Sequence, residues 1–343
     1  MTRIDDVARL AGVSTATVSR ALRGLPTVSA ATRHRVLAAA EQLQYAVSPS
    51  ASRLAGGRTG TVAVVVPRIT RWFFGVVVEA VEDFLHQAGY DLLLHNLGGR
   101  EQNRQRLLHP ANLHKRVDAV MLVATPLRAP ELTALAALDL PGVTVSSGTD
   151  VPGWPCVRID DVVAARTATR HLLDLGHRRI AHISGDPDDE LAFTAHLDRR
   201  RGYQEALRAA GLSPDPSLDV ESRFDIAGGT RATEELLRRG DPPTAIFAAC
   251  DEMAMGALTA LRDAGLRVPQ DVSVIGIDDH ALAGVLGLST IAQPAAEQGR
   301  LAAKLLLDPL AGPPQSGPHR ATSPVILNTR LVVRESTAPA RAH

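Results

Sequence analysis

Polar side chains that could contact another molecule are concentrated between residues 14 and 20, close to the N-terminus. The segment carries four hydroxyl groups, a small apolar residue and one guanidinium, namely Ser14, Thr15, Thr17, Ser19, Ala16 and Arg20. Hydroxyl groups both donate and accept hydrogen bonds, and a guanidinium donates two parallel ones. On one exposed helix face, these groups suit the base edges in the major groove of DNA.

The residues around this segment predict two short helices joined by a tight turn. Val7, Ala8 and Leu10 supply an apolar face for the first helix. Gly12 follows, and glycine can adopt the left-handed conformation that ends a helix. Ser14 is a suitable N-cap for the second helix, because its hydroxyl can accept a hydrogen bond from a free backbone amide. The pattern predicts a helix-turn-helix, with an ordinary helical hairpin as the alternative.

Two further helical segments are predicted before residue 58. Ser29 is a suitable N-cap for a third helix. Residues 48–57 predict a very short helix. Ser48 would cap it, Pro49 would occupy its first position and Gly56 would follow its end. Isolated helices below about 12 residues rarely persist in water, so we expect this one to form only against a partner copy or DNA. A flexible linker is the alternative.

Charge and cysteine usage bound the class of protein. The chain has no net charge, but residues 1–58 hold eight arginines against three acidic residues, so this segment carries +5. A basic module on a mildly acidic body is typical of DNA-binding proteins. Cys156 and Cys250 are too few for a disulfide framework. No export signal and no apolar run long enough to span a membrane are found, so we expect a cytoplasmic protein.

The remainder of the chain predicts an α/β body. A buried strand is expected at 61–67, followed by a helix at about 73–88. Further strands are expected at 90–96, 118–124, 142–146, 179–184, 244–249 and 272–277, and helices at 101–116, 129–138, 161–175, 195–210, 228–239, 251–265 and 294–307. Continuous apolar strands that alternate with helices predict parallel sheets covered on both faces. These strands are too many for one sheet, which favours two doubly wound, Rossmann-like subdomains with a ligand cleft at the strand ends.

Motifs for catalysis are missing. The sequence contains no phosphate-binding loop, no G-x-G-x-x-G and no metal-binding pair of histidines or cysteines. Asp278, Asp279 and His280 could form an acid–base or metal cluster, but they follow a predicted strand, where a binding protein places hydrogen-bond acceptors. The acidic run at 186–190 is expected to be a solvated loop. We therefore expect no catalytic residues, no metal and no cofactor, and a protein that is not an enzyme.

The N-terminal segment resembles the headpiece of LacI/GalR-family transcriptional regulators. The family pattern D-V-A-x-x-A-G-V-S-x-x-T-V-S-R is matched at residues 6–20, and the resemblance extends through almost the whole chain. It implies a hinge helix that wedges a leucine into the operator's minor groove, and Leu54 matches that leucine, with Ala51 beside it. The Pro-Asn usual at the hinge entrance is replaced by Val47-Ser48.

The resemblance also implies how the chain is divided. Residues 1–58 would be the helix-turn-helix headpiece and hinge helix, and residues 61–343 the effector-binding and dimerisation domain, of the periplasmic-binding-protein type. Three crossings, near 158, 288 and 320, would give an N-subdomain of 61–157 and 289–319 and a C-subdomain of 158–288 and 320–336. In the headpiece, Thr15, Ala16 and Arg20 are expected to contact base edges. The other expected DNA contacts are Ser14, Thr17, Ser19, Ser29, Ala51 and Leu54.

Family motifs assign an effector cleft to five residues. The R-x-x-G-Y motif begins at Arg199 and G-[FY]-D-D places Asp278 third, so both are expected to bind ligand hydroxyls. Cys250 replaces the asparagine of the family's A-N-D. Trp72 and Phe74 lie in an aromatic run after the first strand and are expected to contact the apolar face of a sugar. The alternative is that Phe73 or Phe74 packs the helix onto the sheet.

The expected function is a homodimeric repressor that binds a near-palindromic operator and answers to a small sugar or sugar derivative. Arg68 and Arg71 replace family residues at the cleft mouth, which leaves open an acidic or phosphorylated ligand. A partner protein as effector and an activating role also stay open. A sugar-binding transport module or an enzyme on the same scaffold would be other classes, and the intact headpiece and the missing motifs disfavour both.

Overall fold

A computed structural model describes residues 3–22, 25–45, 58–107, 109–148, 151–185, 194–311 and 323–341. The chain divides into two compact units, Met1–Gly60 with Lys115–Asp118, and the remainder. The predicted hinge residues Ser48, Pro49, Ala51, Leu54 and Gly56, and the acidic run at 186–190, lie outside the described residues.

The first unit contains three helices, α1 (Ile4–Ala11), α2 (Thr15–Leu22) and α3 (Ala30–Gln42). Gly12 ends α1 with a φ of 63°, and its amide donates to carbonyl groups in the last turn of the helix. Val7, Val18 and Val36, one from each helix, are fully buried at the centre of the small apolar core. The helix-turn-helix and the third helix are therefore present where the sequence predicts them.

The second unit alternates strands with helices. Its described strands are β1 (Thr61–Val66), β2 (Asp91–Asn96), β3 (Ala119–Val123), β4 (Gly142–Val145), β5 (Cys156–Ile159), β6 (Ile180–Gly185), β7 (Asp219–Ser222), β8 (Ala245–Ala248), β9 (Ser273–Asp278), β10 (Ser289–Ala292), β11 (Val325–Leu327) and β12 (Arg330–Val332). Its described helices are α4 (Trp72–Gln87), α5 (Glu101–Leu107), α6 (Pro110–Leu113), α7 (Ala129–Ala136), α8 (Asp161–Asp174), α9 (Ala195–Ala209), α10 (Ile226–Arg238), α11 (Asp251–Asp263) and α12 (Ala295–Ala311).

The described strands form two six-stranded sheets, ordered β11-β5-β4-β3-β1-β2 and β12-β10-β9-β8-β6-β7. All described pairs are parallel except β10 with β12. The central strands β3 and β8 are buried along their whole length and β1 at every residue after Thr61, as expected when helices cover both faces. We call the half built on the first sheet the N-subdomain and the half built on the second sheet the C-subdomain. The α/β fold class is confirmed.

Two of the predicted crossings lie later in the chain than expected. The first follows Ile159, at the end of β5. Because β10 belongs to the second sheet, the next crossing is at Gln293 and Pro294 and not near 288. Because β11 belongs to the first sheet and β12 to the second, the third crossing is at 328–329 and not near 320. Strands of three or four residues carry too short a pattern to reveal these boundaries.

One predicted helix is also divided. The segment 101–116 forms α5 and α6 in place of a continuous helix, and Pro110 begins the second piece. Proline lacks an amide hydrogen and disfavours helical geometry in the residue before it, so it begins helices more readily than it continues them. Among the described helices, none has the length and apolar character needed to cross a bilayer.

Candidate functional site

The exposed face of α2 is determined by the residues on its opposite face, which pack into the core. Val18 and Ala21 pack into the core of the first unit. At its start, the Ser14 hydroxyl accepts a hydrogen bond from the Thr17 amide at 3.2 Å, as an N-cap does. These contacts leave Thr15 and Ala16 exposed on the opposite side.

The remaining headpiece residues divide into exposed and supporting positions. Arg20 is exposed and lies along α2, with its Nε donating to the Ala16 carbonyl oxygen at 3.2 Å. Thr17 and Ser19 are half-buried. Ser29 caps α3 by accepting from the Thr32 amide at 3.3 Å. The geometry thus favours base contact by Thr15, Ala16 and Arg20, and support or phosphate contact by the others, which stay predictions.

The second candidate site is where the two subdomains meet, at the carboxyl ends of their strands. Asp278 ends β9 and is 6% exposed. Its φ is 141° and that of Asp279 is 59°, conformations that non-glycine residues rarely adopt. Such backbone strain is concentrated at functional sites. Burial raises the pKa of Asp278 to about 6, against the opposing effect of nearby Arg199.

Arg199, the second predicted hydroxyl-binding residue, is held in place by two partners. It lies on α9 and is 5% exposed. Its Nε donates to Asp161 Oδ1 at 2.8 Å, and its Nη1 donates to the Ala249 carbonyl oxygen at 2.5 Å. Burial disfavours the guanidinium charge, but Asp161 and Asp278 outweigh it and raise the pKa of Arg199. A permanent positive charge therefore lies close to the Asp278 carboxylate.

A cavity of about 480 Å³ opens beside Asp278, which is within the usual size range of small-molecule sites. Trp72 lines it together with Asp278, as the sequence predicts. The other lining side chains include apolar residues and amide, carboxylate and guanidinium groups: Val76, Asp279, Ala292, Gln293, Pro294, Ala295, Ala296, Glu297, Arg300, Asn328 and Arg330. An aromatic wall with convergent polar groups can bind a polyhydroxylated molecule.

Two predicted effector residues lie in the cores and not at the cavity. Phe74 is 8% exposed and packs in the N-subdomain core with Val77 and Val81. Residues 74, 77 and 81 share one helix face, so Phe74 must point at the sheet when that face is buried. Cys250 is 4% exposed in the C-subdomain core, where burial raises the pKa of its thiol. The expected ligand contacts of Phe74 and Cys250 are therefore corrected.

Direct contacts join the two subdomains around Arg71 and Trp72. Arg71 Nη2 lies 2.9 Å from Asp225 Oδ2, across the cleft. The Trp72 ring is tilted against the His280 ring at a centroid distance of 5.3 Å. The Trp72 amide donates to the Glu252 carboxylate, whose pKa is raised to about 7, chiefly by burial. The described contacts thus hold the cleft closed at this edge.

The contacts of Arg68 and Arg71 determine whether their charges are available to a ligand. The charge of Arg71 is compensated by Asp225. The guanidinium of Arg68 lies over Gly99, so closely that a Cβ on that glycine would be 1.9 Å from Arg68 Nη2. Neither arginine lines the cavity. The geometry therefore does not support binding of an acidic ligand by Arg68 and Arg71.

Sequence reasoning missed the residues that orient Asp278. Asp251 accepts hydrogen bonds from the Thr290 hydroxyl at 2.7 Å and from the His280 amide at 2.8 Å, which fixes the loop after β9. Gln293 Nε2 donates to Asp278 Oδ1 at 2.6 Å. Asp251 is the aspartate of the A-N-D motif, and this was the only signal for it. Gln293 gave none, because it follows a strand that the pattern did not reveal.

Comparison with known proteins gives two matching family models. Residues 3–48 match the model described as bacterial regulatory proteins, lacI family. Residues 169–337 match a periplasmic binding protein-like domain. The ribose operon repressor of Haemophilus influenzae is 34% identical over 338 residues, which are 98% of each chain.

Solved structures are similar over nearly the whole chain. A complex of the transcriptional regulator CelR with cellobiose has 35% identity and a TM-score of 0.70, covering 98% of this chain and 100% of that one. A lac repressor dimer bound to operator and the anti-inducer ONPF has 27% identity and a TM-score of 0.83, covering 98% and 99%. The likeness therefore includes both the headpiece and the two subdomains.

Proposed function

The chain belongs to the LacI family of bacterial transcriptional regulators, and from that premise we propose that it is a dimeric repressor whose operator affinity is set by a small neutral sugar in the subdomain cleft. Membership makes it a sequence-specific DNA-binding regulator. A repressor acts on the bacterial chromosome, which favours the predicted cytoplasmic location.

One observation carries the DNA-binding half of the proposal. The α2 side that faces away from the core presents Thr15, Ala16 and Arg20, while Ser14 caps the helix and Val18 anchors it. A helix held in this way presents short side chains to base edges and one guanidinium to guanine. A dimer related by a two-fold axis would read two half-sites, so a near-palindromic operator is expected.

The cavity supports the effector half. Trp72 offers a flat apolar surface for the C–H face of a sugar ring, while Asp278 can accept hydrogen bonds from its hydroxyls. Arg199 does not line the cavity, but its buried charge beside Asp278 would stabilise the carboxylate that binds these hydroxyls. Relatives are named for, or solved with, ribose and cellobiose. A neutral sugar is favoured over an acidic one because Arg71 is paired and Arg68 lies outside the cavity. The two arginines that line the cavity, Arg300 and Arg330, lie beside the carboxylates of Glu297 and Asp279.

In this proposal the two halves are linked by the segment 48–57, which the sequence predicts to be a helix too short to persist alone. A change in subdomain angle would change the separation at which the two copies of this segment leave a dimer. Paired hinge helices would then form or melt together, with Leu54 as the wedge at a central pyrimidine–purine step, which unstacks most easily. A coupling of about 1–3 kcal/mol between sugar and operator is typical of such a system.

The proposal is tested by selecting the operator from random duplex DNA and measuring sugar binding by calorimetry. Ribose and cellobiose are the first probes. We expect one strongly preferred two-fold symmetric sequence, and sugar binding that is lost in Asp278→Ala and Arg199→Ala. Arg170→Ala, which removes an exposed ion pair on α8, is the matched control and should bind normally. Undiminished sugar binding by both cleft variants would show that the site is elsewhere.

A further inference from the structure

A chain of three hydrogen bonds, two of them buried and one partly buried, runs from the N-subdomain to the Asp278 carboxylate. The Ser146 hydroxyl donates to Gln298 Oε1 at 2.9 Å. Gln298 Nε2 donates to Gln293 Oε1 at 3.0 Å, and Gln293 Nε2 donates to Asp278 Oδ1 at 2.6 Å. Ser146 follows β4 and Gln298 lies on α12, whereas Asp278 ends β9 in the other sheet.

The direction of this chain follows from the chemistry of its ends. An ionised carboxylate only accepts hydrogen bonds, so Gln293 must turn its amide nitrogen toward Asp278. The carbonyl oxygen of Gln293 then points at Gln298, which must also present its nitrogen. The Gln298 oxygen in turn requires a donor, and the Ser146 hydroxyl supplies one. Each bond therefore polarises the next in the same sense.

The two glutamines are buried at positions where apolar side chains would cost less free energy to bury. Gln298 is fully buried and Gln293 is 8% exposed. A buried amide destabilises the fold unless its hydrogen bonds are made, so each amide depends on the others in the chain. Gln293 also occupies the second crossing between the subdomains. The chain thus joins the ligand-facing carboxylate to both halves of the cleft.

We propose that Gln293 and Gln298 are positioning residues of the effector site, which fix the orientation of the Asp278 carboxylate and tie it to β4 of the N-subdomain. This rests on the proposed function, in which Asp278 accepts sugar hydroxyls. Gln293 and the backbone amide of Asp251 both donate to the carboxylate, and together they determine which oxygen lone pairs remain for a ligand. A rotation of the subdomains about the crossing would strain the chain, so it favours one subdomain angle.

The first test needs no sugar, because it measures proton binding by the Asp278 carboxylate. The pKa of Asp278 is measured from its side-chain carboxyl carbon by NMR in ¹³C-aspartate-labelled protein, with Asp278→Asn to assign the signal. In Gln293→Met the pKa should rise by about one unit, since the carboxylate loses its closest neutral donor. Gln298→Met should raise the same pKa by about half as much, although Gln298 does not touch Asp278. The titratable and charged groups near this carboxyl are unchanged in both variants, namely Arg199, Asp161, Asp251, Glu252 and Cys250.

Thr144→Val is the matched control. Thr144 is fully buried in β4, two residues before Ser146, and its hydroxyl has no hydrogen-bond partner among the described residues. This variant should leave the pKa of Asp278 unchanged. If Gln298→Met also leaves it unchanged while the protein stays folded, the chain does not act on Asp278 and the proposal is overturned. Should Gln298→Met not fold, Gln298→Glu keeps the shape, and its effect on Asp278 should vanish when the new carboxyl is protonated and can donate.

The second test separates this inference from the proposed function. Ribose and cellobiose affinities are measured in the same variants, and Gln298→Met should bind the active sugar about tenfold more weakly than Thr144→Val. A shifted pKa in a protein that binds neither sugar supports the hydrogen-bond chain and counts against these effectors. Sugar binding that is lost in Asp278→Ala but unaffected in both glutamine variants supports the effector site and overturns their positioning role.

Discussion

Removing the Arg71–Asp225 ion pair is expected to open the subdomain cleft of the sugar-free protein. Arg71 comes from the loop before α4 in the N-subdomain, and Asp225 caps α10 in the C-subdomain. Their closest atoms are 2.9 Å apart, and the side chains are 25% and 20% exposed. The pair can exist only when the subdomains are close, so its free energy biases the cleft toward the closed state.

The free energy that this ion pair contributes to closure should lie between the values for fully exposed and fully buried ion pairs. Two charges at the observed separation attract by about 6 kcal/mol at an effective dielectric constant of about 20. Loss of hydration and of side-chain freedom offsets most of that attraction. We therefore expect a net contribution of about 1–2 kcal/mol, which corresponds to roughly a 5- to 30-fold change in the ratio of closed to open protein.

The assay is a double-mutant cycle read by spin-label distances. Cysteines introduced at the exposed positions Ala136 and Arg208 report on the two subdomains, and the native Cys156 and Cys250 are buried and should stay unlabelled. An excess of unlabelled chain restricts each dimer to one pair of labels. Arg71→Ala and Asp225→Asn should each increase the long-distance population, and the double variant should add little more.

Two controls make the result decisive. Arg170→Ala removes an exposed pair within α8 and should not change the distance distribution. The charge-swapped variant Arg71→Asp with Asp225→Arg should recover part of the closed population. Equal distance distributions in wild type, Arg71→Ala and Asp225→Asn would refute the idea that this pair contributes to closure.

Three further predictions concern the headpiece, the C-subdomain and the cleft. Arg20→Ala should weaken operator binding by about 1–3 kcal/mol and relax the preference at one base pair in each half-site. Fluorescence anisotropy with singly substituted operators measures both effects. An unchanged preference would make Arg20 a phosphate contact. Gly202→Ala should lower the free energy of unfolding by about 1–3 kcal/mol in urea titrations, because its Cβ would lie 2.3 Å from the Val162 carbonyl oxygen. Gly284→Ala, with no atom within 4 Å of its Cβ and no left-handed backbone, should change it little. Burial raises the pKa of Glu252 to about 7, so the folded state binds a proton more tightly than the unfolded state, and the fold gains stability as pH falls from about 7 toward 4.5. Glu252→Gln should reduce this rise in melting temperature, while Asp251 and Asp278, whose pKa values are also raised, supply the remainder. Parallel profiles for the two proteins would contradict the assignment.

The sequence was most informative where one element carried a complete signal. The helix-turn-helix was predictable because Gly12, Ser14 and the apolar positions that bury α1 and α2 all fall within one short segment. The paired sheets were predictable from runs such as 61–66, which are apolar on both faces of a strand. In each case local geometry and burial lead to the same structure.

Features that depend on distant residues could not be predicted in this way. Phe74 and Trp72 are both aromatic and two positions apart, yet only the helix phase set by the buried face separates the core ring from the cavity ring. The crossings at 293–294 and 328–329 depend on which sheet accepts a strand of three or four residues. Gln298 gave no signal at all, because a buried glutamine has meaning only through partners far away in sequence.

If sugar binding in the cleft controls operator binding by the headpiece, each ligand must change the affinity for the other by the same factor. The most direct measurement is the affinity of the active sugar for the free protein and for the protein saturated with its selected operator, alongside the operator affinity with and without sugar. We predict that the two ratios are equal and lie between about 5 and 150, and that in Asp278→Ala, which should not bind the sugar, the sugar no longer changes the operator affinity. Sugar that binds free and operator-bound protein equally well would contradict control of DNA binding through this cleft.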